Sequence, residues 1–256
     1  MINKISILVF TLLTSLSSFS QLAQVDYTDG NQKLSGFYAK PKKAIKNNPG
    51  ILILPAWMGI DDHHSKEIAK DLAKLGYKAF IADVYGVGNK PTSTSEAGKN
   101  TGHYKKNISE YQRRIQLALE QLVKNGANAD DIAVIGYCFG GTGAIEAARS
   151  NMKVKGVVSF HGGLSRDESR TIETINPKVL VLHGADDNYV PETEVKAFQN
   201  EMRTAKADWQ MNYYADAVHA YTEKGAGNDK SKGVAYNENA AKRSWKAMLQ
   251  FFKEVL

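Results

Sequence analysis

The sequence predicts an α/β fold: a mostly parallel central sheet flanked by helices on both faces. Three observations carry this. Short, almost continuously apolar runs rich in β-branched residues recur along the chain, as strands buried on both faces require. Between them lie segments whose apolar residues repeat at helical spacing, the pattern of crossover helices joining parallel strands. No internal repeat and no linker-like composition interrupts the alternation, so a single domain is expected from about residue 25 to residue 256.

Taken in order, the first buried strand is the Gly-Ile-Leu-Ile-Leu run at 50–54, ending at Pro55. A helix over 65–75 follows, because Ile68, Leu72 and Leu75 fall on one face and Gly76 supplies a stop. The next strand is 78–82. Residues 86–102 are rich in Gly, Ser, Thr and Lys and read as a long surface loop, a lid or substrate-facing excursion. Ile108, Tyr111, Ile115, Ala118 and Leu122 then share a face, predicting one long helix over 104–123. Strands are expected at 132–135, 154–160, 178–182 and 209–214, and helices near 142–149, 192–204 and 235–255.

The 256 residues are 43% hydrophobic and 23% charged, which fits a globular protein and excludes disorder, collagen-like repeats and a disulfide scaffold. A net charge of +6 comes from Lys and Arg scattered through the chain without interleaved aromatics. A solvated basic surface explains it, and no nucleic-acid partner is expected. Residues 1–20 stand apart. Lys4 gives a positive start, residues 5–16 an apolar run, and Ser18-Phe19-Ser20 a small-x-small site, so a signal peptide cleaved before Gln21 is expected. The alternative is an uncleaved anchor, but the run falls short of the ~20 residues of a spanning helix. Export to a periplasmic or extracellular site follows, with no stable membrane span after cleavage. The single cysteine, Cys138, is then either a buried hydrophobe or a reactive thiol.

The chemistry concentrates where the strand at 132–135 runs into Gly136-Tyr137-Cys138-Phe139-Gly140-Gly141. A G-x-C-x-G-G sequence between strand and helix has the context of a nucleophile elbow, in which small flanking residues permit a tight, strained turn. The helix opening there favours a thiolate over a thiol. Two later strands end in the missing partners: 178–182 runs into His183-Gly184-Ala185-Asp186-Asp187, and 209–214 into Ala215-Asp216-Ala217-Val218-His219. The chain order nucleophile, acid, histidine is that of an α/β-hydrolase triad.

The mature chain from residue 50 to its closing helix resembles the dienelactone hydrolase family of α/β-hydrolases. The most specific pieces are the Gly136 to Gly141 motif, Asp187-Asn188-Tyr189-Val190-Pro191 and Val218-His219-Ala220-Tyr221. Carried across position by position, the resemblance implies Cys138 as nucleophile, Asp187 as acid, with the adjacent Asp186 as the alternative, and His219 as general base. It implies an oxyanion hole from the backbone N–H groups of Phe139 and Trp57, whose side chains are equally candidate wall residues. Tyr85 matches a tyrosine near the family's active site and is a candidate for substrate contact or for a wall. The expected activity is hydrolysis of a small-molecule ester or lactone through a thioester, with no cofactor. A cysteine amidase or peptidase, or a non-catalytic binding protein on the same fold, are the alternatives.

Two departures qualify the resemblance. The family's glutamate in the loop after the first buried strand, which takes part in activating the thiol, is replaced by Ala56, and the arginine shortly after the catalytic histidine is absent from Tyr221-Thr222-Glu223-Lys224. An acid there would repel an anionic substrate. His161 ends the strand at 154–160 and is a candidate for the pocket lining or for packing. The His63-His64 pair lacks the i, i+4 spacing of a helical metal site and is read as part of a helix start with Asp61 or Asp62 near its cap, with no metal expected.

Overall fold

The computed structural model describes residues 22–60 and 63–256; the leader at 1–20 and the proposed caps Asp61 and Asp62 lie outside them. Eight strands form one sheet in the order β1-β2-β4-β3-β5-β6-β7-β8. These are β1 (Leu22–Asp29), β2 (Gln32–Ala39), β3 (Gly50–Leu54), β4 (Lys78–Ile81), β5 (Ile132–Tyr137), β6 (Gly156–Phe160), β7 (Lys178–Gly184) and β8 (Trp209–Tyr214). The strands from β4 to β8 run parallel, while β2 joins β4 antiparallel and β1 closes the edge.

Alternation along the central strands divides the core. Leu52 and Leu54 of β3 and Val134 of β5 point to one face, where they meet α3 (Ile108–Lys124), α4 (Phe139–Arg149) and α5 (Glu192–Thr204) through Tyr111, Ile115, Ala144, Val195 and Phe198. Ile51, Ile53 and Ile135 point to the other, against Ile68 and Leu72 of α1 (His63–Lys74) and Met248 and Phe252 of α6 (Glu238–Val255). Both faces are thus covered by helices, the α/β-hydrolase architecture that the sequence predicts.

The sequence and the structure part company in two places. The polar stretch read as a long loop holds a helix, α2 (Thr94–Lys106), and the single helix expected over 104–123 is divided at Asn107 into α2 and α3. Ser93 caps α2 by accepting from the Glu96 N–H at 3.2 Å, and the Glu96 carboxylate accepts from the Thr92 N–H at 2.7 Å, a reciprocal cap that lets a polar segment be helical. Asn107 ends α2 by donating from both its backbone and side-chain nitrogens to the His103 carbonyl, each at 2.9 Å. The β1–β2 hairpin is also additional to the predicted strands. Its outer face is solvated, so it lacks the continuous apolar run that betrays the buried strands.

From β3 the chain steps to β4 on one side and later to β5 on the other. That reversal is a topological switch point, where open α/β sheets leave a crevice beyond the carboxyl ends of their strands.

Candidate active site

At this crevice β5 ends and α4 begins, and Cys138 occupies the single residue between them with φ 53° and ψ −114°. A non-glycine residue in this region is strained, and strain of this kind is held only where the surroundings over-determine it. They do so here. The Cys138 N–H donates to the Phe160 carbonyl at 3.0 Å, tying the turn to β6. A Cβ on Gly140 would lie 2.0 Å from the Leu54 carbonyl oxygen, and one on Gly136 would lie 1.9 Å from that of Gly140, so only glycine lets the elbow close against the end of β3. On its far side the Phe139 carbonyl accepts from the Tyr111 hydroxyl at 2.9 Å, and the two rings stack with centroids 4.6 Å apart.

The loop after β8 brings His219 to the elbow. Its Nε2 lies 3.1 Å from Cys138 Sγ, and its Nδ1 2.9 Å from Asp187 Oδ2 in the loop after β7. The other oxygen of Asp187 accepts the Tyr189 N–H at 2.9 Å, so both carboxylate oxygens are engaged and the side chain is fully buried. Asp186, its neighbour, is exposed. Burial opposes a charge on His219, but the hydrogen bonds from Asp187 and then Cys138 outweigh it and push its pKa up to about 10. The site thus favours the charged form of the imidazole, which lies between the carboxylate and the sulfur.

A cavity of about 360 Å³ opens over Cys138. Trp57, Phe139, Tyr189, His219 and Glu223 contribute to its wall, and one face of α2 adds Gly98, Thr101 and Lys105. Trp57 and Tyr189 are among the exposed large apolar side chains, at 38% and 62%. They give the mouth an apolar, aromatic surface, and the Tyr189 ring sits 5.1 Å from that of His219. Gly98 and Thr101 lie in the stretch read from sequence as a substrate-facing excursion, although its polar composition hid the helix; Lys105 and Tyr189 carry no role in the sequence reading, since nothing local shows where their side chains lie.

The residues expected at substrate are placed unequally. Trp57 and Phe139 line the cavity together, and Phe139 opens α4, where a helix's first amides have no intrahelical acceptor. Tyr85 and His161 are not on this wall. Tyr85 is buried, its hydroxyl donates to the Trp57 carbonyl at 2.8 Å and its ring stacks on Phe139 with centroids 6.0 Å apart. It braces the Trp57 loop from behind. His161 is fully buried behind His219, with ring centroids 5.3 Å apart. Ala56 is buried, and its methyl leaves no acidic group at that point of the loop.

A cysteine at a strained strand-to-helix elbow, with a histidine bridging it to a carboxylate, is the arrangement found in the α/β-hydrolase class. Residues 34–256 match the dienelactone hydrolase family, and the chain belongs to it. It is similar to a putative carboxymethylenebutenolidase of Salmonella typhimurium, with 26% identity over 86% of this chain and 83% of the relative. It is also similar to a probable 2-oxo-3-(5-oxofuran-2-ylidene)propanoate lactonase of Bradyrhizobium, with 24% identity over 88% of this chain and 91% of the relative. Among solved structures, a dienelactone hydrolase-like promiscuous phosphotriesterase from metagenomic libraries superposes with a TM-score of 0.85, at 35% identity over 92% of this chain and 98% of that one. The protein is thus a dienelactone hydrolase-like hydrolase.

Proposed function

We propose that the protein cleaves a small carboxylic ester or lactone by a Cys138–His219–Asp187 triad through a thioester. The observation that carries the reading is the unbroken relay from Cys138 Sγ through His219 to Asp187, at 3.1 and 2.9 Å. With His219 protonated, Cys138 reacts as the thiolate and attacks the carbonyl carbon, and negative charge moves onto the carbonyl oxygen. The Trp57 and Phe139 N–H groups receive that charge; a single such donor is worth ~100-fold or more in acyl transfer. Collapse expels the alkoxide, which takes the proton from His219 Nε2. For an ester the alcohol leaves; for a lactone it stays attached to the acyl chain. The neutral imidazole then removes a proton from water, the resulting hydroxide attacks the thioester, and the acid departs as the thiolate–imidazolium pair is restored. Asp187 holds the imidazole in the required tautomer and stabilises its cation.

The family's activating glutamate being absent at Ala56, thiolate formation rests on His219 with Asp187 and on the start of α4. The lactone-cleaving names of the relatives and the cavity's modest volume support small lactones and short esters as substrates. Lys105 and Glu223 give its wall one charge of each sign, so a substrate without net charge suits it better than an anionic dienelactone. Export is part of the proposal, and mass spectrometry of the chain recovered outside the host cytoplasm is expected to show a start at or within a few residues of Gln21.

The test is a panel of p-nitrophenyl acetate, a γ-lactone and a chromogenic peptide, run on residues 21–256 and on Cys138→Ala. Ester or lactone turnover that vanishes in Cys138→Ala is the expected result. Turnover that survives there removes the thiol from the mechanism, peptide cleavage alone favours the amidase, and no turnover with tight ligand binding favours a binding protein.

A further inference from the structure

His161 has the features of a functional residue, although it lies off the cavity wall. Its backbone adopts φ 38°, a left-handed conformation that a non-glycine residue rarely takes. Its side chain has no solvent exposure, and its Nδ1 is buried without a hydrogen-bond partner among the described residues. A phenylalanine or leucine would fill this space without burying a lone nitrogen, and a glycine or asparagine would make the turn with less strain. The surroundings show what the imidazole does there. Nε2 is 2.8 Å from the Thr222 hydroxyl, three residues beyond His219, and the ring meets that of His219 at 69° and that of Tyr221 at 79°, with centroids 5.3 and 5.2 Å apart. The backbone is fixed as well, since the His161 N–H donates to the Leu182 carbonyl of β7 at 2.9 Å, only a few residues before Asp187. One residue therefore joins the end of β6 to β7 through its backbone, and to the loop that carries the base through its side chain.

We propose that His161 is a positioning residue: tethered by Thr222, its ring backs the His219 imidazole and fixes the tilt at which Nδ1 meets Asp187 while Nε2 meets Cys138. This rests on the triad reading above. The backing ring has to be uncharged, because a second cation would oppose the His219 imidazolium. Burial, then His219 and His64, hold His161 well below the ordinary histidine range, with His183 acting in the same sense. Thr222 does not line the catalytic cavity, so changing it removes no contact there, and the double-mutant cycle with His161 tests whether its effect passes through that ring.

The experiment is a double-mutant cycle on residues 21–256 with His161→Phe, Thr222→Val and the pair. It follows kcat and KM on p-nitrophenyl acetate and the pH dependence of Cys138 alkylation by iodoacetamide. Each single change is expected to lower kcat by about 3- to 10-fold with KM within about twofold, since small misplacements of catalytic groups have large effects on rate. Alkylation at neutral pH should slow, because a displaced imidazole supports the thiolate less well. The double variant should be no slower than the slower single one, because both changes cut the same link. His161→Ala, which also removes the ring, should be slower than His161→Phe; if it does not fold, the cycle stands without it. Multiplicative effects of the two changes, or folded variants with native kcat and alkylation profile, overturn the proposal. The triad reading fails separately, through turnover in Cys138→Ala.

Discussion

Asp187→Asn removes a charge while preserving shape, and the structure sets the size of its effect. A rise in the His219 pKa from 6.5 to about 10 corresponds to roughly 5 kcal/mol in favour of the imidazolium, at ~1.4 kcal/mol per unit. The His219 side chain is only 13% exposed, so solvent screens little of this. Two partners supply the attraction, Asp187 first and Cys138 second, against the opposing effect of burial. If Asp187 supplies about half of this, its neutralisation costs roughly 2 to 3 kcal/mol, or ~50-fold in the thiolate–imidazolium population. An asparagine that donates to Nδ1 would also favour the wrong imidazole tautomer and enlarge the loss. The assay is kcat/KM on p-nitrophenyl acetate together with the rate of iodoacetamide alkylation across pH. A fall of about 50-fold or more is expected, with the alkylation profile displaced toward higher pH. Stability should respond in the matching sense. Because the folded pKa of His219 lies above its unfolded value, its contribution is complete below about pH 6.5 and is lost as pH rises through about 10. That alkaline loss should be smaller in Asp187→Asn. Activity within threefold of native with an unchanged profile would refute the reasoning, and a large loss in Asp186→Asn instead would transfer the role to the neighbouring acid.

Three further outcomes follow from the same geometry. Both Cys138→Gly and Cys138→Ala should be inactive, but at φ 53° the glycine variant should be the more stable by about 1 kcal/mol in urea denaturation; equal stabilities would show that the elbow stores no strain. Tyr85→Phe frees the Trp57 carbonyl and should lower kcat about 10-fold with little change in KM, if holding that loop positions an oxyanion donor; a native kcat would detach Tyr85 from the site. Arg149 is buried between Glu146 at 2.8 Å and Glu201 at 2.7 Å, so Arg149→Met should destabilise the fold by about 3 kcal/mol or more by leaving carboxylates short of a partner, and a loss under 1 kcal/mol in denaturant titration would count against that cluster.

The sequence by itself determined the parallel core of the sheet, the helices on both faces and the chain order of Cys138, Asp187 and His219. These are local signals: a strand buried on both faces must be apolar throughout, and an elbow this tight needs its glycines. It did not reveal α2 or the β1–β2 hairpin, because a polar helix held by the Thr92–Glu96 and Ser93 caps, and an edge strand with one wet face, carry no continuous apolar pattern. Only the family resemblance, through the distance to Val190-Pro191, ranks Asp187 above Asp186, since adjacent residues in a loop face different ways only once the chain is folded. The places of Tyr85 and His161 belong to the tertiary structure alone. Both stand at strand ends near the site, yet Tyr85 turns inward to the Trp57 carbonyl and His161 to the back of His219. Which way a side chain points at the end of a strand is decided by the loops that close over it, here those carrying Trp57 and Thr222, and these come from distant parts of the chain.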